Sequence, residues 1–482
     1  MSKKIIAVVG AGGKTTYIQK KAKEYLKQGK KVFVTTTTHM MKEADTVVSD
    51  DADEILKVLE EKQYVMAGRD CGEKIQSLSK EVYEKVCGYA DVVLVEADGS
   101  KHLPVKFPVK HEPVIPENAT QIVVIYGLHA LGKPLCKVAH RLELVKECLN
   151  AESIAKEKSV RVSDDTIVKA HHIQKLVMKG YVEPMKEKFP GKKITIEAAH
   201  DGSLFQRVIA KLMEAEIDVS LIKEEWFQTQ PDLFICGGGH VSCELVKMAS
   251  CLDFKVKVMD DREEFANPDR FPQADKVICD SFENLEKYLV KDAYYAVVTR
   301  GHKDDLNCVR TILKHPYQYL GMIGSKSKIK TTYDNLRKEG VTQEELDTIY
   351  APIGLNIGAR TPAEIAVSIL GEIIQVKNAK TTSFISRELS KISKKGTLCI
   401  IIEKTGSSPR GEGSMMFVTD TETIDTIGGG AVEYAAIADA RANKEGVFIK
   451  EYCLSSRTAE NLGMICGGEN KVLFVPLERG EL

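Results

Sequence analysis

Short, continuously apolar runs alternate with stretches of helical periodicity along most of this chain. Lys4–Val9, Lys31–Thr35, Asp91–Val95 and Gln121–Tyr126 read as strands, and a helix opens near Thr15. Runs such as Val92-Val93-Leu94-Val95 lack polar alternation, the pattern of parallel strands covered on both faces. The polar, Trp-containing stretch Lys223–Asp232 reads as a linker. A second series follows. Leu233–Cys236, Lys255–Met259, Lys276–Cys279, Ala293–Thr299 and Tyr317–Ile323 are predicted strands, and His240–Cys251 is a predicted helix. Thr361-Pro362-Ala363-Glu364 places Thr at N-cap, Pro at N1 and Glu at N3, a capping box that predicts a helix over Ala363–Val376. After a second predicted linker, Asn378–Ser386, the pattern changes. Thr397–Glu403, Ser414–Thr419, Val447–Tyr452 and Lys471–Val475 are predicted strands around a helix at Ala431–Asn443.

Three glycine-rich turns each follow an apolar run that reads as a strand. The first is Gly10-Ala11-Gly12-Gly13-Lys14-Thr15-Thr16. A P-loop needs G-x-x-x-x-G-K-[ST], and Val8 stands where its first Gly would fall, so this loop is shortened. Lys14 and Thr15 still suit a phosphate and Mg²⁺, with Gly10, Gly12 and Gly13 letting backbone amides approach the anion. Glu96 and Asp98, after the strand at Val92–Val95, are candidate Mg²⁺ ligands, directly or through water. Lys101, Lys106, Lys110 and His111 form a basic run suited to an anionic ligand. The second turn, Gly237-Gly238-Gly239-His240-Val241-Ser242, is a G-x-G-x-x-S variant of the dinucleotide fingerprint. Asp260 follows Gly237 by 23 residues, where a carboxylate accepts from a ribose hydroxyl. His302 in Thr299–Asp305 is a candidate acid/base or metal ligand, against a helix-capping loop. The third turn is Gly428-Gly429-Gly430, which with Arg410 could hold a phosphate. Cys466, beside two glycines, could present a thiolate, a soft ligand for a metal or a carrier of sulfur or selenium.

The fold class is therefore α/β, in three predicted domains. They are a P-loop-like parallel sheet over 1–222, a Rossmann-like doubly wound sheet over 232–378 and a small α+β domain over 386–480. A length of 482 residues accommodates them. Net charge of -1 gives nucleic acid or an acidic membrane no electrostatic support. No apolar run approaches a membrane span, and the N-terminus reads as a first strand rather than a signal peptide. Twelve scattered cysteines without a C-x-x-C pair argue against a zinc ribbon and a disulfide framework, and suit a cytoplasmic protein.

Two families are resembled. Val9–Thr16, Val34–His39, Val95–Ser100, His111–Pro116, Gly127–Gly132 and His140-Arg141 together resemble the selenium-dependent hydroxylase accessory proteins (YqeC). Pro352–Ala366, with Thr299–Asp305 and Gly321–Lys326, looks like the xanthine dehydrogenase accessory factor (XdhC/CoxI) family. Glu403–Met415, Ile427–Glu433 and Ile465–Glu469 resemble that factor's other domain, in permuted order. The resemblance implies an accessory factor. It would bind molybdenum cofactor (molybdopterin) and assist its modification and insertion into a selenium-dependent molybdenum hydroxylase apoprotein. ATP or GTP with Mg²⁺ is the nucleotide the first loop would take. NAD is a weaker expectation, NTPase activity and homo-oligomerisation stay open, and the alternatives are an NAD-dependent oxidoreductase or a nucleotide-regulated scaffold.

Overall fold

The computed structural model describes residues 3–151, 161–380, 385–406, 410–453 and 468–478, and they form three main sheets. The first sheet runs Lys193–Ala199, Gln121–Gly127, Lys4–Gly10, Val92–Glu96, Val32–Thr36, Tyr64–Cys71, Lys74–Gln76 and His39–Met41. Its first six strands are parallel. The register sets Val8 beside Glu96 and Gly10 beside Ile125. The helix Lys14–Leu26 connects Lys4–Gly10 to Val32–Thr36 across the intervening Val92–Glu96. Such a crossover opens a crevice at the strands' C-terminal ends, where doubly wound sheets bind ligands.

The second sheet is parallel throughout, in the order Lys276–Cys279, Lys255–Asp260, Asp232–Cys236, Ala293–Val297, Tyr317–Met322, Ile349–Tyr350. This is the 3-2-1-4-5-6 order of dinucleotide-binding folds. One face packs on His240–Ser250 and Pro362–Lys380, through Leu245, Ala249, Ala366 and Ile369. The other packs on His302–Leu313 and Lys326–Lys338, through Cys308, Ile312 and Leu336.

The third sheet is antiparallel: Thr423–Asp425, Met415–Val418, Gly396–Gly406, Gly468–Leu477, Phe448–Cys453. Its side chains alternate. Cys399, Ile401, Met416 and Phe474 face the helix Gly430–Ala442, through Val432 and Ala436. Leu398, Ile400, Met415, Phe417, Leu473 and Val475 join the same apolar core as Leu204, Val208 and Trp226 of the N-terminal part. Arg207 reaches across with Nη1 to the Ile392 carbonyl at 2.6 Å and Nη2 to that of Glu478 at 2.9 Å.

The stretch expected to be a linker is thus a packed joint. Trp226 is 2% exposed, and a Cβ on Gly413 (φ +81°) would lie 2.6 Å from its ring. Two parallel strands escaped the sequence pattern, Tyr64–Cys71 inside the sheet and Lys193–Ala199 at its edge, because many of their residues are exposed or half-buried. No helix among the described residues is long and apolar enough to cross a membrane.

Candidate functional site

The shortened glycine loop closes against the two strands beside it. Gly10 takes φ +95°, and a Cβ there would lie 2.1 Å from the Ile125 carbonyl oxygen. Gly12 takes φ +77°, with a virtual Cβ 2.9 Å from the Cα atoms of both Gly127 and Pro104. Only glycine fits these positions. The loop delivers Lys14 into the interior at 4% exposure. Its Nζ donates to the Gly10 carbonyl at 2.8 Å and to Ser100 Oγ at 3.3 Å, and stands 3.8 Å from Glu96 Oε1. Burial lowers the Lys14 pKa, and Glu96 and Asp98 oppose that shift.

Glu96 is 7% exposed, and its Oε2 is buried without a hydrogen-bond partner among the described residues. Burial raises its pKa against the pull of Lys14, and the Thr15 hydroxyl also favours the ionised form. An unpartnered buried carboxylate oxygen is costly unless a ligand or ion completes it.

Asp98 is placed differently from the sequence expectation. It is fully buried beneath the loop, accepting from Gly10 N at 3.2 Å and the Tyr181 hydroxyl at 2.7 Å, and pairing with Lys106. It holds the loop rather than facing the cleft. Lys106, read as part of a basic run suited to an anionic ligand, is itself buried and also binds Glu112 at 2.7 Å. Glu112 then takes a two-point bond from Arg141, Nη1 to Oε2 at 2.5 Å and Nη2 to Oε1 at 2.9 Å. Burial pushes the Glu112 pKa up, but Arg141 and Lys106 outweigh it and hold it at about 2.

Above Lys14 opens a cleft of about 700 Å³. Gly12, Gly13, Thr15 and Glu96 lie at its floor. One wall carries Thr38, His39, Met40, Met41 and Lys74, the other Lys101, His102, His129, His140 and Arg141. Sequence reasoning assigned no role to His129, Glu112, Arg141 or Tyr181. The first three lie within family-like stretches, whereas Tyr181 meets Asp98 across 83 positions with no local signal. Among the described residues no group of three or more His, Cys, Asp or Glu could hold a metal ion. A magnesium ion would therefore need the nucleotide's own oxygens beside Thr15 and Glu96.

The second turn is already occupied by its own chain. Gly237 takes φ +112°, and a Cβ on Gly238 would lie 2.0 Å from the Phe265 carbonyl oxygen. Each oxygen of Asp260 accepts two bonds. Oδ1 takes Arg262 N at 3.1 Å and Nε at 2.9 Å, and Oδ2 takes Gly238 N at 2.8 Å and Arg262 Nη2 at 3.0 Å. Gly239 caps the helix His240–Ser250 with open space where a side chain would stand. His302 is exposed at the start of the helix His302–Leu313, whose N-cap is Gly301. Asp305 lies in the first turn of that helix and is buried, accepting from Thr299 Oγ1 at 2.6 Å and pairing with Lys328.

The third turn, Gly428, Gly429 and Gly430, is likewise self-filled. Glu433 Oε2 accepts from Ile427 N and Gly429 N at 3.0 Å each and from the Thr426 hydroxyl. Gly428 N donates to Thr426 Oγ1 at 3.0 Å. Of the amides expected to hold a phosphate, that of Gly429 is thus spent on a carboxylate and that of Gly428 on a hydroxyl. Arg410 is exposed and lines a separate hollow of about 160 Å³ with Asp253, Ser386 and Asp425. Cys466 lies outside the described residues.

A shortened phosphate-type loop on a parallel sheet, followed by a dinucleotide-order sheet and a small antiparallel sheet, defines a three-part α/β protein with a cleft above the first loop. Family comparison agrees with that division. Residues 6–143 match the YqeC protein family, 233–373 the XdhC Rossmann domain and 393–448 the XdhC and CoxI family. The chain is a fusion of a YqeC-family segment with the two XdhC-family segments, in that order. It is 34% identical over 150 residues to the uncharacterized protein YqeB of Escherichia coli (strain K12), covering 31% of this chain and 28% of that one. It is 29% identical over 153 residues to a probable xanthine dehydrogenase subunit of Bacillus subtilis (strain 168), covering 31% and 44%. It is 30% identical over 139 residues to the uncharacterized protein YqeC of Escherichia coli (strain K12), covering 27% and 53%. The chain thus spans about a quarter to a half of the length of these relatives. A solved xanthine dehydrogenase from Bacillus halodurans aligns at 29% identity over 32% of this chain and 44% of that one, with a TM-score of 0.29.

Proposed function

We propose that the protein is a nucleotide-dependent maturation factor for a molybdenum hydroxylase of the xanthine dehydrogenase type, with a selenium-dependent apo-hydroxylase as partner and molybdenum cofactor as cargo. The family of its three segments supports the maturation role. The observation that carries the nucleotide dependence is the buried Lys14–Glu96 pair at the floor of the cleft. Amides of Gly12 and Gly13 and the Lys14 ammonium would bind the phosphates, and Thr15 with Glu96 would hold Mg²⁺. Asp98 positions the loop through Gly10.

Within this reading Cys466, Arg410 and His302 serve the cargo. The Gly428–Gly430 turn does not fit a cofactor phosphate while Glu433 takes the Gly429 amide and Thr426 that of Gly428. Asp260, committed to Arg262, gives no ground for hydride chemistry at Gly237–Gly239. Calorimetry with ATP and GTP in Mg²⁺ tests the reading. Binding by the wild type, lost with Lys14→Ala together with activation of the apo-hydroxylase, is expected. A wild-type protein that binds neither nucleotide overturns it.

A further inference from the structure

The two walls of the cleft differ in chemistry. The Thr38–Met41 wall is partly apolar. Met40 is buried and Met41 is 39% exposed to the cleft, a surface suited to a flat nucleobase. The opposite wall is a bank of donors. Lys101, His102, His129, His140 and Arg141 all line it, and Glu112 is the acid among them. That acid is neutralised from within by Lys106 and Arg141.

We propose that this second wall is a separate subsite for a substrate carrying a small oxyanion, bound beside the nucleotide. The inference rests on the nucleotide reading above and adds a second ligand to it. Four observations carry it. First, the side chains of Lys101, His102, His129 and His140 make no hydrogen bond or ion pair among the described residues, so their donors are free for a ligand. Second, Arg141 spends two of its five guanidinium donors on Glu112 and is thereby fixed in orientation, with the rest still available. Third, His129 lies beside the glycine loop. A Cβ on Gly127 would lie 2.5 Å from its Cε1, and the same Gly127 abuts Gly12. Fourth, three of the eight described non-glycine residues with positive φ, Lys101, His102 and Arg141, fall on this one wall. Strained backbone persists where surrounding structure over-determines it, as at ligand sites.

The histidines suit the task. Burial, then Lys133, lowers the His129 pKa; burial, then Arg141, Lys106 and Lys101, lowers that of His140. Neutral imidazoles donate one N–H each without adding repulsion between the cations. The Glu96 oxygen without a partner lies at the floor between the two walls, where a ligand bearing a proton or a metal would complete it.

The test is calorimetry on the full chain with inorganic phosphate as probe. Phosphate is titrated into protein saturated with a non-hydrolysable ATP analogue and Mg²⁺. Binding to the loaded protein is expected, weakened at least tenfold by Lys101→Ala combined with His129→Ala, with affinity for the analogue unchanged. Exclusion of phosphate by the analogue, or equal phosphate affinity in the variant, overturns the second subsite and leaves the nucleotide reading standing. Should the analogue itself fail to bind, the nucleotide reading falls. Phosphate binding to free protein then decides the wall alone. Loss in the double variant but not in Lys14→Ala upholds an oxyanion site, and the reverse overturns it. His102→Ala, an exposed change, repeats the measurement if the double variant does not fold.

Discussion

Lys14 Nζ stands 3.8 Å from Glu96 Oε1 while it donates to the carbonyl of Gly10, four residues back in its own loop. The pair joins adjacent parallel strands, because the register sets Val8 beside Glu96. An ammonium buried at 4% exposure is retained against its desolvation cost only with such partners. Lys14→Ala removes the one cation on the loop itself. A charge-assisted contact contributes about 1.5–3 kcal/mol, so nucleotide affinity should fall about 10- to 100-fold in calorimetry. Glu96→Gln should instead weaken the Mg²⁺ dependence of binding and leave Mg²⁺-free nucleotide affinity nearly unchanged.

The loop's backbone makes its own demand. Gly10→Ala would place a Cβ 2.1 Å from the Ile125 carbonyl oxygen at φ +95°. The strand Gln121–Gly127 must shift or the loop must open. A loss of about 2–4 kcal/mol in denaturant unfolding is expected. Gly29→Ala, also at positive φ but with no atom within 4 Å of the added Cβ, should cost less.

Acid should loosen the site through Glu112. Its folded pKa, about 2, lies below the ordinary 4.5. A depressed carboxylate contributes stability that is full above the ordinary value and is lost as pH falls from about 4.5 to about 2. The contribution is about 2 kcal/mol once partial exposure is allowed for. Thermal unfolding followed between pH 6 and pH 2 should show this loss in the wild type, and Glu112→Gln should flatten it.

The joint between the first and third sheets depends on Arg207. Its two bonds to the carbonyls of Ile392 and Glu478 tie Leu204–Glu214 to one end of the antiparallel sheet, where Gly396 pairs with Leu477. Arg207→Ala leaves those carbonyls without their charged partner and should cost about 2–4 kcal/mol. Scanning calorimetry should then resolve a separate, lower-melting transition for the third sheet, where the wild type unfolds it together with the first.

Local patterns were readable because their causes are local. The capping box at Thr361 formed as read: Thr361 N donates to Glu364 Oε2 at 3.0 Å, and Glu364 N donates to Thr361 Oγ1 at 3.3 Å. Lys276–Cys279 was read to the residue, and the glycine turns fell where apolar strands end. The state of each turn was not readable. All three look like open anion sites in sequence, yet Glu433 fills the third and Arg262 with Phe265 closes on the second. The first keeps a cleft above it. A glycine's tolerance of positive φ is written at its own position, but what occupies the space beside it comes from elsewhere in the chain.

The sequence by itself determined the strand and helix alternation, the positions of the glycine turns and the order of the three families. Backbone conformation and apolar periodicity act over a few residues, so their signals are carried by neighbours. The tertiary structure alone decided that Asp98 is a buried clamp and Glu96 the acid facing the cleft, two residues apart on one segment. It decided too that Arg141 faces the cleft from a wall whose residues lie between 87 and 127 positions beyond Lys14. Which acid is buried beneath Tyr181 and which faces the ligand depends on how distant segments exclude water around them, and a linear pattern does not carry the positions of those segments.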